Sequence, residues 1–276
     1  MQISIKRDIE KLKNNPLVSI LITNYNGEKF IKRCLNSCVN QTFKNNEIIF
    51  FDDASKDNSI YQASKFKKII LIKNKKKKYN YGSFNQIYGL EKAFKISKGE
   101  VICLLDSDDF FKKNKISKIV NFFKKNKNKN FVNDNPIIYY NKNKKILSSS
   151  LKRKIEFGSI WPKFNQTSCM SMRRRFFKQA LKSTSFKKFN NIWIDFRIAT
   201  FAYFVKKDFN ILNNNLTYYF QRPGNISSKF NKLSKNWWLR RNEAHMYMKF
   251  YLKKENLKFK HGLDYMITKS LKFFYK

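Results

Sequence analysis

The chain has 276 residues and a formal net charge of +40, from 59 Lys and Arg against 19 Asp and Glu. Hydrophobic and aromatic contents of 42% and 17% exclude a disordered chain and supply ample material for a core. No apolar run approaches the ~20 residues of a membrane-spanning helix, which leaves peripheral contact with an anionic membrane open.

The charge itself points to polyanionic partners: nucleic acid, an anionic membrane or a phosphorylated substrate. Most of it is Lys, in a chain also rich in Asn, Ile, Phe and Tyr with only 7 Gly and 4 Pro. An AT-rich coding sequence produces that bias, and the basic runs read as solvated faces. Cys34, Cys38, Cys103 and Cys169 include no C-x-x-C pair, and His245 and His261 are remote in sequence. Buried reduced thiols are expected, as in a cytosolic protein, in preference to a zinc site. The polar, charged lead-in of residues 1–15 has no signal-peptide pattern.

In chain order, Leu17–Ile22 reads as a buried strand running into the polar turn Thr23-Asn24-Tyr25-Asn26-Gly27, whose Asn-Gly suits positive φ. Glu28–Asn40 follows as a helix, with Ile31, Cys34, Leu35 and Cys38 on one apolar stripe. Glu47–Phe51 is a second strand ending in Asp52-Asp53, with Asp57 or Asn58 placed to cap a short helix. Ile69–Ile72 is a third strand, 73–81 a basic loop and Ser83–Ser97 a helix. Val101–Leu105 is a fourth buried strand. It ends in Asp106-Ser107-Asp108-Asp109, three carboxylates within four residues. Such a cluster repels itself unless water or a cation screens it. It suits either a divalent cation beside a phosphate-bearing ligand or a solvated turn capping the next helix.

Beyond it, Ile116, Ile119, Val120 and Phe123 mark a helix, Pro136–Tyr140 a strand and 141–154 a basic loop. Cys169–Met172 is strand-like and Arg173-Arg174-Arg175 opens a helix. Asn191–Phe204 reads as an apolar helix with Asp195 near its start, Thr217–Ser228 as a strand running into a turn, and the chain from Leu233 as helical. Strand and helix alternate over about 120 residues, which predicts a mostly parallel α/β sheet with right-handed crossovers. The turns after strands one, two and four then share one sheet edge, where open α/β sheets bind ligands.

On these residues the chain resembles the family 2 glycosyltransferases of GT-A (Rossmann-like) fold over residues 16–230. Ser19–Asn26 resembles their opening strand and turn, and Asn40-Gln41-Thr42-Phe43 the helix end before strand two. Asp52-Asp53-Ala54-Ser55-Lys56-Asp57 resembles their D-D-G-S-x-D turn, with Ala54 in place of Gly. Lys98-Gly99-Glu100 and Leu105–Asp109 resemble their DXD strand, and Tyr219–Ser228 their Y-x-R-x-x-G-x-x-S stretch. The resemblance implies that Thr23, Tyr25 and Asp53 hold the nucleotide base and Asp106 the ribose, with Gly82 and Asn85 near the donor. Asp108, with Asp109 as alternative or additional ligand, would bind Mn²⁺ or Mg²⁺. Asp195 would be the general base of an inverting transfer, although the family's Glu-Asp is Ile194-Asp195 here; a helix-capping charge is its ordinary alternative.

The expectation is a metal-dependent, inverting transferase on the cytosolic side. It would move sugar from a nucleotide-diphosphate donor, UDP-linked by preference, to a glycan or lipid-linked acceptor. Residues 231–276 form a helical segment after the transferase domain. Trp161 and Trp193 face two readings, sugar cleft or core. The Arg173–Arg175 triplet reads as a solvated face or an anion contact, and Trp237-Trp238 with Arg240-Arg241 as membrane-interfacial or helix-packing residues. The competing classes are a basic nucleic-acid- or anion-binding protein and a degenerate transferase kept as a binding module. No nucleic acid is expected as partner, because acid stands at the strand ends.

Overall fold

The computed structural model describes residues 15–140, 144–147, 159–221 and 230–272. The basic lead-in up to residue 14, most of the loop at 141–154 and the Arg222–Ser228 part of the last motif lie outside the described residues. The expected alternation forms: β1 (Val18–Asn24), α1 (Glu28–Val39), β2 (Asn46–Asp52), α2 (Ser59–Ser64), β3 (Ile69–Lys73), α3 (Gly82–Ile96) and β4 (Val101–Asp106). Then come β5 (Phe110–Phe111), α4 (Lys115–Lys125), β6 (Phe131–Tyr140), β7 (Lys144–Leu147), β8 (Met170–Arg173), α5 (Arg174–Thr184), α6 (Ile194–Thr200), β9 (Ile211–Gln221), α7 (Lys235–Lys254) and α8 (Leu263–Lys272). The strands among the described residues make one sheet in the order β3-β2-β1-β4-β8-β6-β9-β5, with β7 on β6.

β1 pairs in parallel with β2 on one side and β4 on the other, so Asn24 lies beside Asp52 and Thr23 beside Asp106. That register brings the polar turns after strands one, two and four to one edge, as the alternation predicts. The sheet is parallel from β3 to β4 and mixed beyond, with β8 antiparallel to β4 and β6, and β9 parallel to β6.

Period-two alternation sends each strand's apolar residues to both faces. Val18, Ile20, Ile22, Val101, Cys103 and Leu105 pack with the Ile31–Cys34–Leu35–Cys38 stripe of α1 and with α4. Leu21, Ile102 and Leu104 face the other layer, made by α3, α5, α6 and α7. The C-terminal helical segment therefore shares the sheet's core: Tyr247 and Tyr251 of α7 are fully buried, and both stack with Phe186. Gly99 is required by close approach, because a Cβ there would lie 2.4 Å from Ser19 Oγ and 2.5 Å from its backbone nitrogen.

Three elements differ from expectation. β6 begins five residues before Pro136, because the proline falls where the β6–β9 register shifts and a ladder N–H can be spared. α6 begins at Ile194 and passes at Phe201 into a π-helical turn, in which Lys206 N donates to Phe201 O at 3.0 Å. Arg173 is buried and Arg174 half-buried, so the two are not a solvated face. Arg173 donates to the carbonyls of Phe123, Lys127 and Lys129, and Arg174 to Ser97 Oγ and Gly99 O.

Candidate active site

The turns after β1 and β2 are tied to each other. Asn24 Nδ2 donates to Asp52 Oδ1 at 2.8 Å, Asn26 N to Ser55 Oγ at 2.9 Å and Glu28 N to Asp57 Oδ2 at 3.0 Å. Asn26 takes the left-handed conformation (φ 50°) expected of its Asn-Gly turn. Asp52 turns inward and accepts from Ser55 N and Oγ, which leaves Asp53 at the mouth. Ala54 holds φ 57°, where a Cβ is unfavourable. Ala54→Gly is therefore expected to stabilise the fold by about 1 kcal/mol, less the entropy glycine adds to the unfolded chain. Thermal unfolding should show the gain as a rise of about 2 °C.

Thr23, Tyr25, Asp53, Gly82, Asn85, Asp106, Asp108 and Asp195 all line one cavity of about 510 Å³. Asp53 Oδ1 accepts from Asn74 Nδ2 at 3.0 Å, and burial raises its pKa against the pull of Asn74 and Lys77. Tyr25 is exposed, with Lys77 Nζ 3.1 Å from its ring centre. Asn85 is committed to shape: its amide exchanges hydrogen bonds of 2.9 and 2.8 Å with the backbone of Tyr79, closing the basic loop. A Cβ at Gly82 would lie 3.0 Å from the Trp193 indole, so glycine admits that ring to the cavity wall. Trp161 is core, against Phe196, His245 and Arg241.

The acidic turn divides its three carboxylates. Asp106 accepts from Gln86 Nε2 at 2.9 Å. Burial pushes it up to about 7, helped by the charges of Asp108 and Asp195 and opposed by hydrogen bonds from Gln86 and Thr167. Asp108 lines the cavity, and its carbonyl accepts from Arg33 Nη2 at 2.9 Å. Asp109 does not line it. Its side chain is 1% exposed, with one oxygen accepting from Ser168 Oγ at 2.6 Å and the other from Phe220 N at 2.9 Å. Asp109 thus anchors the turn from behind, an orientation that its place in the motif does not disclose.

Asp195 occupies the second position of α6 and accepts from Phe196 N at 2.7 Å. Burial raises its pKa, and Arg240 opposes the rise. The loop before it is held by Arg197, which is fully buried. Its guanidinium donates to the carbonyls of Thr184, Phe186, Lys188, Phe189 and Ile192. Gln86, Lys77, Thr167 and Arg240 also line the cavity, and no motif points to them. Only the helical periodicity of α3, which sets Gln86 one turn beyond Gly82, could have found one.

Among the described residues no group of three His, Cys, Asp or Glu is placed to hold a metal ion. Asp106 and Asp108 do offer hard oxygen ligands in a mutually repelling pair, which a divalent cation would relieve. One or two carboxylates completed by phosphate oxygens and water is how Mg²⁺ is held beside nucleotides. The residues present fit that arrangement and not an all-protein cage.

The model of the family described as Glycosyl transferase family 2 matches residues 19–184. An Escherichia coli relative, UDP-Glc:alpha-D-GlcNAc-diphosphoundecaprenol beta-1,3-glucosyltransferase WfaP, is 42% identical over 108 residues, 38% of this chain and 41% of its own. The matched part of the chain spans less than half the length of the first curated relatives. S. aureus TarS in complex with UDP superposes with a TM-score of 0.62 at 14% identity, over 88% of this chain and 67% of that one. Mannosyltransferase PcManGT from Pyrobaculum calidifontis, in complex with GDP-Man and Mn²⁺, gives 0.55 at 12% identity, over 97% and 74%. The likeness to these two is one of fold.

Proposed function

Since the chain belongs to glycosyl transferase family 2, we propose that its cleft moves a hexose from a UDP-linked donor to a hydroxyl of a lipid-diphosphate-linked glycan, with inversion. The observation that carries this reading is one cavity whose wall combines Thr23, Tyr25, Asp53, Asp106, Asp108 and Asp195. Tyr25 offers an aromatic face to a base, and the Asp53 carboxylate an acceptor for a uracil imide N–H. Asp106 would take the ribose, and Asp108 would hold Mn²⁺ or Mg²⁺. Such a cation, when bound, would neutralise the leaving diphosphate. Asp195 takes the proton of the acceptor hydroxyl as its oxygen bonds to the anomeric carbon. The bond from that carbon to the diphosphate breaks, and UDP departs with the electron pair.

The lipid-linked acceptor is inferred from the curated relative's substrate, and with it a place of work on the inner face of the cytoplasmic membrane. No helix among the described residues is long and apolar enough to cross a membrane, so the contact would be peripheral. A basic nucleic-acid-binding protein is not favoured, since the cavity's acidic floor repels phosphate until a cation is bound.

Calorimetric titration of UDP and GDP, with and without Mn²⁺, tests the reading. UDP is expected to bind at least about tenfold tighter with Mn²⁺, and Asp108→Ala to remove that difference. Equal, metal-independent and salt-sensitive binding of both nucleotides would overturn it.

A further inference from the structure

Among the described residues two cations line the cavity, Lys77 and Arg240. Lys77 sits over Tyr25 and beside Asp53. Arg240 comes from α7, outside the part of the chain that carries the motifs, and is the cation beside Asp195. Asp106 feels the charges of Asp108 and Asp195. Asp106, Asp108, Asp195 and Arg240 thus share one cavity wall, with Arg240 the cation that acts on Asp195.

Arg240 is held in place. Its guanidinium carbon lies 4.6 Å from the ring centre of Phe230, and a stacked guanidinium keeps its in-plane N–H donors for another partner. Ser234 caps the start of α7, accepting from Trp237 N at 3.3 Å. The neighbouring Arg241 is already spent on Asp264 at 2.5 Å and on the faces of Trp161 and Trp237. Arg240 makes no ion pair among the described residues. A half-buried arginine in a cleft, near Asp195 but in no ion pair with it, suits an anionic group of a ligand.

We propose that Arg240 binds the phosphate of the acceptor and selects acceptors whose diphosphate is carried by the same sugar that is attacked. The proposal rests on Asp195 marking the acceptor hydroxyl. On the same reading the donor diphosphate belongs with Asp106 and Asp108. An anion met by Arg240, which acts on Asp195 from the same cavity wall, then lies near the attacked hydroxyl. A sugar 1-diphosphate has that geometry. A long glycan would carry its phosphate far outside the cavity.

The test is calorimetric binding of two ligands to protein saturated with UDP and Mn²⁺: decyl-diphosphate-linked α-GlcNAc and the neutral decyl α-GlcNAc. The wild type is expected to prefer the diphosphate by about tenfold or more. Arg240→Gln should abolish that preference while leaving the neutral ligand and UDP bound as before, and Arg240→Lys should restore part of it. The proposal is overturned by an unchanged preference in Arg240→Gln, by a wild type that binds neither decyl ligand, or by a loss confined to UDP, which would assign Arg240 to the donor. Failure of UDP and Mn²⁺ to bind the wild type at all would instead defeat the transferase reading.

Discussion

Replacing Asp195 by Asn is expected to lower kcat by roughly 10²–10⁴-fold, the usual contribution of a positioned general base. Donor binding should not change, because the role proposed for Asp195 is on the acceptor oxygen. The loss should therefore fall on kcat and kcat/KM together. Asparagine keeps an oxygen able to accept from Phe196 N, the 2.7 Å bond that seats the side chain at the start of α6. Folding should not suffer either. Burial raises the carboxyl's pKa, so stability from this group is present at low pH and lost as pH rises through the folded value. A neutral amide does not incur that loss, and the melting temperature at pH 8 should not fall.

The same shift sets the pH profile. The protonated, inactive carboxylic acid persists to higher pH than an ordinary Asp would allow, so wild-type kcat/KM should fall as pH drops through the raised pKa. UDP release measured at saturating Mn²⁺ between pH 5 and 9 reads both effects. Residual activity of the Asn variant should lack that acid limb. Turnover within threefold of wild type, or an unaltered limb, would return Asp195 to the role of a helix-start charge.

Much of the cavity wall was legible because its signals are local. Apolar runs such as Val101–Leu105 alternate with amphipathic stripes, and that alternation forces strand ends to one edge. Parallel pairing of β1 with both β2 and β4 then places Thr23 against Asp106 without further information. Side-chain direction within a turn is not local. Asp108 and Asp109 are adjacent acids, yet one lines the cavity and the other is turned inward to Ser168 and the backbone of Phe220, 111 residues away. The same holds for Arg240. Nothing in a helix of basic and aromatic residues distinguishes the arginine aimed at the cleft from its neighbour paired with Asp264. Lys115 is the extreme case. In a chain with 59 basic residues a single lysine carries no signal, yet this one is fully buried.

Lys115→Met is expected to cost about 3–5 kcal/mol of folding stability, the usual result of removing one member of a buried ion pair. The Lys115 ammonium has three donors and three partners, each at 2.7 Å: Asp134 Oδ2, Ser168 O and Thr217 Oγ1. Both charged side chains are 0% exposed. Burial already raises the pKa of Asp134, with Lys115 as the chief opposing influence. Methionine fills the space of the stem but strips the Lys115 donor from that carboxylate, the Ser168 carbonyl and the Thr217 hydroxyl, and the one Thr217 O–H that remains near Asp134 and Ser168 supplies no charge. Replacing both partners, as in Lys115→Met with Asp134→Asn, removes the stranded charge and should recover at least half of the loss. Urea unfolding midpoints of the single and double variants measure this directly.

The effect should reach the active site through Ser168. Its carbonyl is held by Lys115, and its hydroxyl donates to Asp109 and accepts from the backbone N–H of Asp106 at 3.0 Å. The acidic turn is thus fixed from behind by a network that begins at a lysine 19 residues from its own ion-pair partner. In the double variant, which regains stability but not the donor to Ser168, Mn²⁺-dependent UDP binding should stay weaker than wild type. Full recovery of nucleotide binding together with stability would mean that Lys115 serves only the fold.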